Sequence, residues 1–232
     1  DKEGFETARW FAARGINVFV LFYRLPADGW AGGPDVPLQD AQRAMRVIRS
    51  RAATWDLDPA QLGVIGFSAG GHLAALHACR HAAATYDAVD DADRASPRPD
   101  IAALIYPVVA MDDPAAHAGS REQLLGPAPD PERIRAYSAD TVVRPGTPPT
   151  FILHAADDPS VPLENALRMA QALRSAAVGP PPGSQVNCPR TVCGGSERTG
   201  RNRSIAEAGS GPFSPRGSRR ARGSVGRRTA SG

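Results

Sequence analysis

The stretch that decides the fold is residues 62–74, LGVIGFSAGGHLA. Its first six residues form an apolar run of the length expected for a buried β-strand. From residue 69 onward, apolar and polar residues recur at helical spacing. Only Ser68 stands between the two patterns. The stretch therefore predicts a strand that passes directly into a helix.

The rest of the chain repeats this alternation. Helical spacing predicts helices over residues 3–14, 38–55, 69–81 and 162–177, and apolar runs predict strands over residues 17–23, 62–67, 101–109 and 150–154. Strands that alternate with helices favour the α/β class, with a mostly parallel sheet covered by helices on both faces. Functional residues of such sheets lie at the carboxyl ends of the strands.

Charge divides the chain into two parts. Residues 1–178 carry a formal charge of −5, whereas residues 179–232 carry +8 and contain neither Trp nor Tyr. We expect residues 1–178 to form the domain and residues 179–232 to be a disordered tail, because so little apolar surface cannot offset the entropy of ordering. Arg, Gly, Pro, Ser and Ala are what GC-rich DNA encodes out of frame, so a frameshift is one hypothesis. A basic tail that binds anionic surfaces is the other, and arginine alone predicts no specific nucleic-acid partner.

Several other classes are disfavoured. Three cysteines give no disulfide framework, and Cys188 and Cys193 lack the second pair of ligands that a zinc site needs. No apolar run reaches the length of a membrane span, and no signal peptide is visible. Asp90, Asp91 and Asp93 are expected to be solvated rather than to bind a metal. The sequence implies no metal and no organic cofactor.

Residues 66–70 read G-x-S-x-G, and this pattern between a strand and a helix predicts a nucleophile elbow. Ser68 would be the nucleophile, and Gly66 and Gly70 would be small because the turn is tight. The Ala69 amide, at a helix N-terminus, would donate to a developing oxyanion. The alternative is a glycine-rich turn in which Ser68 only caps the helix.

Five segments extend this interpretation to a family. They are YRLP (23–26), LQDAQRAMRVIR (38–49), GFSAGGHLA (66–74), RPDIAALIYPV (98–108) and PPTFILHAADDPSVPLENALRMAQALR (148–174). Together they resemble the α/β-hydrolase family of bacterial acetyl xylan and feruloyl-type esterases over nearly all of residues 3–178. The resemblance implies hydrolysis of a short-chain, acetyl ester of a small molecule or a carbohydrate such as xylan. Such enzymes occur both in the bacterial cytoplasm and as secreted proteins, so the compartment stays open, as does the oligomeric state.

The resemblance also assigns an acid. The family's D-x-x-V-P turn corresponds to residues 158–162, so Asp158 is the expected triad acid and Asp157 the second choice. The alternative is that both carboxylates only begin a turn before a helix. Tyr23, Arg24 and Trp30 are expected on the alcohol side of the site.

The family's catalytic histidine follows the acid, but no histidine follows His154 in this chain. We expect the five histidines present to be packed or surface residues. The family's oxyanion loop and one strand, which lies between residues 17–23 and 62–67 in the sheet, are also missing. The resemblance therefore implies a domain incomplete at both ends and an impaired esterase. The alternative is a noncatalytic remnant or binding module with a basic tail.

Overall fold

The computed structural model describes residues 3–181, and these form a parallel α/β structure. Three strands, β1 (Gly63–Phe67), β2 (Ile101–Ile105) and β3 (Thr150–Leu153), pair in the order β1-β2-β3. The helices are α1 (Gly4–Ala12), α2 (Val36–Ser50), α3 (Ser68–Arg80), α4 (Ala118–Leu125), α5 (Pro131–Tyr137) and α6 (Glu164–Ser175). The predicted fold class is confirmed. The tail over residues 179–232 is predicted to be disordered. Its residues from 182 onward lie outside the part of the chain that the structure describes.

The register of the sheet aligns the carboxyl ends of its three strands. Phe67 pairs with Ile105, and Ile105 pairs with Leu153. Because the strands are parallel, the residues that follow them leave the sheet at one edge. Ser68, Tyr106 and His154 are the first of these residues on β1, β2 and β3.

The core lies on the face of the sheet that α3 covers. Ala75 and Leu76 of α3, Leu104 of β2 and Met169 of α6 belong to one cluster of buried side chains. Apolar side chains on the opposite face stay partly exposed, as Leu153 does at 54%. No helix within residues 3–181 is long and apolar enough to cross a membrane.

The predicted strand over residues 17–23 is wrong, because this segment joins no ladder in the structure. Apolar composition supplies only strand propensity, whereas a strand also needs a partner for its backbone hydrogen bonds. Within the described residues β1 is an edge strand, and nothing pairs with it on the side away from β2. Phe22 is consequently 74% exposed, and Phe19 is 47% exposed, with its ring centroid 5.2 Å from that of Trp55.

Strand β2 ends at Ile105, four residues earlier than predicted. Tyr106 has a φ of +36°, and Pro107 has no N–H to continue the ladder. The segment after Pro107 is nevertheless buried, because the fully buried Asn165 of α6 satisfies its backbone. The Asn165 side-chain oxygen accepts hydrogen bonds from the amides of Val109 and Ala110, at 2.8 and 2.9 Å.

Helix α2 ends at Ser50, and a short 3₁₀ turn continues it to Trp55. The acidic segment after α3 packs onto α2 through Asp93, so the expectation that Asp93 is solvated is wrong. Its side chain is 1% exposed, forms an ion pair with Arg43 at 2.8 Å and accepts hydrogen bonds from Tyr86 and Val89. Arginine side chains of α2 thus compensate the buried negative charge of Asp93, which the sequence alone predicts to be exposed to solvent.

Candidate active site

Ser68 occupies the junction of β1 and α3. Phe67 is extended, Ser68 has a φ of +50°, and the helix begins at Ser68 itself. A left-handed backbone costs a residue with a side chain about 1–3 kcal/mol, and such strain is concentrated at functional sites. The carbonyl of Ser68 accepts a hydrogen bond from the Val108 amide at 3.1 Å, which fixes the turn against the end of β2.

Close packing requires two of the glycines around Ser68. A Cβ on Gly66 would lie 2.6 Å from the carbonyl carbon of Gly70, and closer still to its oxygen. A Cβ on Gly71 would lie 2.9 Å from the Cα of Pro107. A Cβ on Gly70 would meet no atom within 4 Å, so the steric reason expected for Gly70 is not found. Gly71, which sequence reasoning missed, is the second crowded position.

Ala69 lies in the first turn of α3 and is exposed. Amides of the first turn have no acceptor within the helix, and the helix dipole makes this end attractive to negative charge. The Ala69 amide is therefore able to donate to an oxyanion that forms on a substrate next to Ser68.

Asp158 lies on the turn after β3 in a fixed orientation. Its Oδ1 accepts hydrogen bonds from the amides of Val161 and Ser160, at 3.0 and 2.8 Å, and these bonds lower the pKa of Asp158. Oδ2 accepts no hydrogen bond from within residues 3–181, and the side chain is 17% exposed. Asp157 is exposed and forms no ion pair or side-chain hydrogen bond within the same residues. The structure thus distinguishes two neighbouring carboxylates that the sequence could only rank.

His154 is the histidine nearest to Asp158, but its ring is engaged elsewhere. Nε2 donates a hydrogen bond to the Val161 carbonyl at 2.9 Å and lies 3.7 Å from Asp158 Oδ2. The side chain is only 2% exposed, and Nδ1 is buried without a hydrogen-bond partner in the described part of the chain. His154 therefore supports the turn that carries Asp158.

The other four histidines also bond away from Ser68. His72 Nε2 donates to the Tyr137 carbonyl, and His77 Nε2 donates to the Pro97 carbonyl, both at 2.7 Å. Burial lowers the pKa of His72 and that of His77 to about 4. His117 caps α4, and His81 lies at the opposite end of α3 from Ser68. All five histidines lie within residues 3–181, and none forms a hydrogen bond with Ser68 there.

Tyr106 is a site residue that sequence reasoning missed. Its amide donates to the Leu153 carbonyl at 2.6 Å, and its ring centroid lies 5.9 Å from that of Phe67. Its hydroxyl donates to a Glu3 carboxylate oxygen at 2.9 Å. The pKa of Tyr106 is raised to about 12. Burial is the largest cause, and Glu3 and the charge of Asp158 contribute less. Tyr106 thus lies between the two turns, and a Tyr-Pro pair directly after an apolar strand was the available signal.

The residues expected on the alcohol side are held by their own neighbours. The Arg24 guanidinium forms an ion pair with Asp40 at 2.6 Å and lies 5.1 Å from the centre of the Trp30 ring. Tyr23 packs against the small cluster that contains Leu73. None of the three forms a hydrogen bond with Ser68 within residues 3–181. The same residues contain no group of three or more side chains arranged to hold a metal ion.

A parallel sheet whose first strand turns through a serine into a helix is typical of the α/β-hydrolase fold, and solved structures of that fold resemble this chain. One is an acetyl ester-xyloside bifunctional hydrolase from Caldicellulosiruptor lactoaceticus, with a TM-score of 0.68 and 40% identity. The match covers 75% of this chain and 62% of that one. A lipase/esterase from Lactobacillus plantarum, at 24% identity and a TM-score of 0.62, shows the same fold over 78% of this chain and 71% of its own.

Residues 1–173 match the family model BD-FAE, and the chain belongs to this family. It is 34% identical to an acetylxylan esterase of Xylanibacter ruminicola over 75% of this chain and 34% of that protein. It is 37% identical to endo-1,4-beta-xylanase B of Butyrivibrio fibrisolvens over 74% of this chain and 27% of that protein. The match thus spans about a third or less of these relatives.

Proposed function

We propose that this chain carries the nucleophile and the acid of a serine esterase that removes short acyl groups, acetyl in particular, from carbohydrates such as xylan. The observation that carries the proposal is the placement of Ser68. It lies with a φ of +50° at the N-terminus of α3, on the same edge of the sheet as the turn of Asp158. The names of the relatives support the choice of acyl group and alcohol.

The proposed reaction passes through an acyl-enzyme. The Ser68 hydroxyl oxygen attacks the ester carbonyl, and the Ala69 amide stabilises the resulting oxyanion. The proton acceptor of such a reaction is a histidine imidazole, which takes the serine proton and passes it to the leaving alkoxide. Asp158 orients that imidazole and stabilises its charged form. Water then releases the acyl group from Ser68 by the same steps.

The proposal includes low activity for the chain alone, because each of its histidines is bonded away from Ser68. Loss of the base in serine hydrolases costs a factor on the order of 10⁴–10⁶ in turnover, or about 5–8 kcal/mol of barrier. The binding of substrate and the oxyanion donor would remain.

Hydrolysis of p-nitrophenyl acetate by the full chain and by Ser68→Ala tests both parts. We expect slow release of nitrophenol that depends on Ser68, with acetyl-Ser68 detected by mass spectrometry. Multiple turnover at ordinary esterase rates would show that a histidine of this chain acts as the base, which would contradict the impairment. Identical behaviour of Ser68→Ala would exclude Ser68 as nucleophile and favour the noncatalytic alternative.

A further inference from the structure

We propose that Ser120 and His117 form a second acyl-acceptor site, separate from Ser68, at which small activated esters acylate the Ser120 hydroxyl. Both residues lie at the N-terminal end of α4, in the connection between β2 and β3. The inference goes beyond the proposed function and does not depend on it. Three features of the structure support it: the hydrogen bond between the two side chains, the tautomer of His117, and the free amides in the first turn of α4.

The two side chains form a pair of nucleophile and base. Ser120 Oγ lies 2.9 Å from His117 Nδ1. An imidazole can take the proton of an attacking hydroxyl when the two groups are about 2.6–3.2 Å apart. Within residues 3–181, the ring hydrogen bonds of the other four histidines go to backbone groups instead. In the described part of the chain, this pair is therefore the one place where an imidazole meets a hydroxyl.

The backbone fixes the direction of this hydrogen bond. The Ser120 amide also donates to His117 Nδ1, at 3.1 Å. Because an amide N–H can only donate, Nδ1 of the neutral ring carries no hydrogen, and the ring hydrogen lies on Nε2. The Ser120 hydroxyl therefore donates to Nδ1. The nitrogen beside the hydroxyl is the basic one, as general base catalysis requires.

Capping of α4 does not by itself account for this arrangement. His117 is the N-cap, and the bond from the Ser120 amide to its side chain is the capping bond. The residues that usually cap helices are Ser, Thr, Asp and Asn, which accept this bond with an oxygen. The Ser120 hydroxyl takes no part in the cap. Its bond to the imidazole is thus additional to what the helix needs.

The first turn of α4 supplies donors for an oxyanion. The amides of Ala118 and Gly119 have no hydrogen-bond acceptor within residues 3–181. Helical side chains tilt towards the N-terminus, and the bond to His117 places Ser120 Oγ at this end of the helix. The helix dipole makes the same end favourable for negative charge. An oxyanion that forms on an ester next to Ser120 therefore lies near unpaired donors.

A small ester can reach the pair. Ser120 and His117 are half-buried, whereas Ala118 and Gly119 are exposed. A Cβ on Gly119 would meet Cε1 of the His117 ring at 3.5 Å. Apart from the chain neighbours of Gly119 and the helix backbone, no other described residue has an atom within 4 Å of that position. The imidazole is thus open to solvent on the side of Gly119.

The acylation step balances without a further reactant. Ser120 Oγ forms a bond to the acyl carbon while its proton moves to His117 Nδ1, and the ester bond breaks to release the leaving group as an anion. The imidazolium then gives the proton to water. A leaving group that is stable as an anion needs no proton, which restricts the site to activated esters such as aryl acetates. Protonation of Nδ1 interrupts the capping bond, so we expect an acceleration of about a hundredfold, at the lower end of what a general base contributes.

The experiment treats the full-length Ser68→Ala chain with p-nitrophenyl acetate until labelling is partial, digests it with trypsin and locates the acetyl groups by fragmentation in a mass spectrometer. Ser120 shares its tryptic peptide, residues 95–121, with Ser96, because the Arg-Pro bond within this peptide resists trypsin. Ser96 is exposed and has no histidine partner in the described part of the chain, so it serves as an internal control. We expect about a hundredfold more acetyl on Ser120 than on Ser96.

Variants in the same Ser68→Ala background test the base. His117→Asn removes the imidazole but keeps a good helix cap, so the labelling of Ser120 should fall to the level of Ser96 while circular dichroism stays unchanged. His81→Asn is the matched control, since the ring of His81 bonds to the backbone of Gly146 at the far end of α3. This variant should label Ser120 as the parent does.

Equal labelling of Ser120 and Ser96 in the folded parent would overturn the inference, and this comparison needs no further variant. Labelling of Ser120 that His117→Asn retains would also overturn it, because the imidazole would then not be the base. The chain that keeps Ser68 separates the inference from the proposed function. Acetyl on Ser68 but not on Ser120 refutes the inference and leaves the proposed function standing, whereas acetyl on Ser120 but never on Ser68 does the reverse.

Discussion

Replacement of Gly66 by alanine should strongly destabilise the domain, because the added methyl group would meet backbone rather than a movable side chain. The new Cβ would lie 2.6 Å from the carbonyl carbon of Gly70 and 2.9 Å from the Cβ of Ala74. Carbon atoms pack at about 3.5–4.0 Å, so β1 and the first turn of α3 would have to separate by roughly 1 Å. Overpacking usually costs about 1–3 kcal/mol, and a clash with backbone belongs at or above the top of that range.

Gly70→Ala is the matched control, since it adds the same methyl group four residues away. A Cβ at position 70 meets nothing within 4 Å, and the backbone there is not left-handed. Alanine is a better helix former than glycine by about 1 kcal/mol, so this variant should be as stable as the wild type or slightly more so. The two single-methyl changes should therefore differ by about 3–4 kcal/mol in the free energy of unfolding.

Urea unfolding followed by circular dichroism measures this difference. With a slope of about 1–3 kcal/mol per molar urea, the Gly66→Ala midpoint should fall by at least about 1 M, whereas the Gly70→Ala midpoint should stay or rise. Equal midpoints for the two variants would show that the junction of β1 and α3 is not packed as described. A loss of stability confined to Gly70→Ala would refute the assignment of the crowded position.

Two further predictions concern buried polar groups. Asn165→Ala should cost about 3 kcal/mol or more in urea unfolding, because it leaves two buried amides and the carbonyl of Ala115 without their bonds; a cost below about 1 kcal/mol would contradict this. His72 and His77 have a pKa of about 4 in the folded protein and an ordinary value of 6.5. The unfolded chain then binds more protons than the folded protein. The free energy of unfolding should therefore decrease as the pH is lowered below about 6.5, by up to about 1.4 kcal/mol per pH unit for each histidine. The melting temperature of His72→Gln should depend less on pH between 7 and 5 than that of the wild type, and an equal dependence would exclude this cause.

Local patterns predicted the elements whose formation depends on nearby residues. The change from an apolar run to helical spacing at residues 67–69 located the junction of β1 and α3 within one residue. The segment 17–23 has the same apolar character as β1 but forms no strand. A ladder depends on a partner elsewhere in the chain, which composition does not reveal.

Long-range contacts also explain the errors around single residues. Gly71 is crowded by Pro107, which arrives from the end of β2, thirty-six positions further along the chain. Asp93 is buried because Arg43 reaches it from α2. Neither partner is visible in the sequence around the residue itself. The sequence placed Ser68 and Asp158 after two predicted strands, where the structure also has them, but it could not show which of their side-chain atoms are already bonded.

His154 illustrates that last limit and explains how Asp158 is held. In the sequence it lies four residues before Asp158, and we expect it there to be a packed or surface residue. In the structure both side chains form a hydrogen bond with the backbone of Val161. Asp158 Oδ1 accepts from the Val161 amide, and His154 Nε2 donates to the Val161 carbonyl. This double attachment closes the turn and fixes the hydrogen on Nε2. His154 is thereby committed to shaping the turn of Asp158, and no histidine within residues 3–181 forms a hydrogen bond with Ser68.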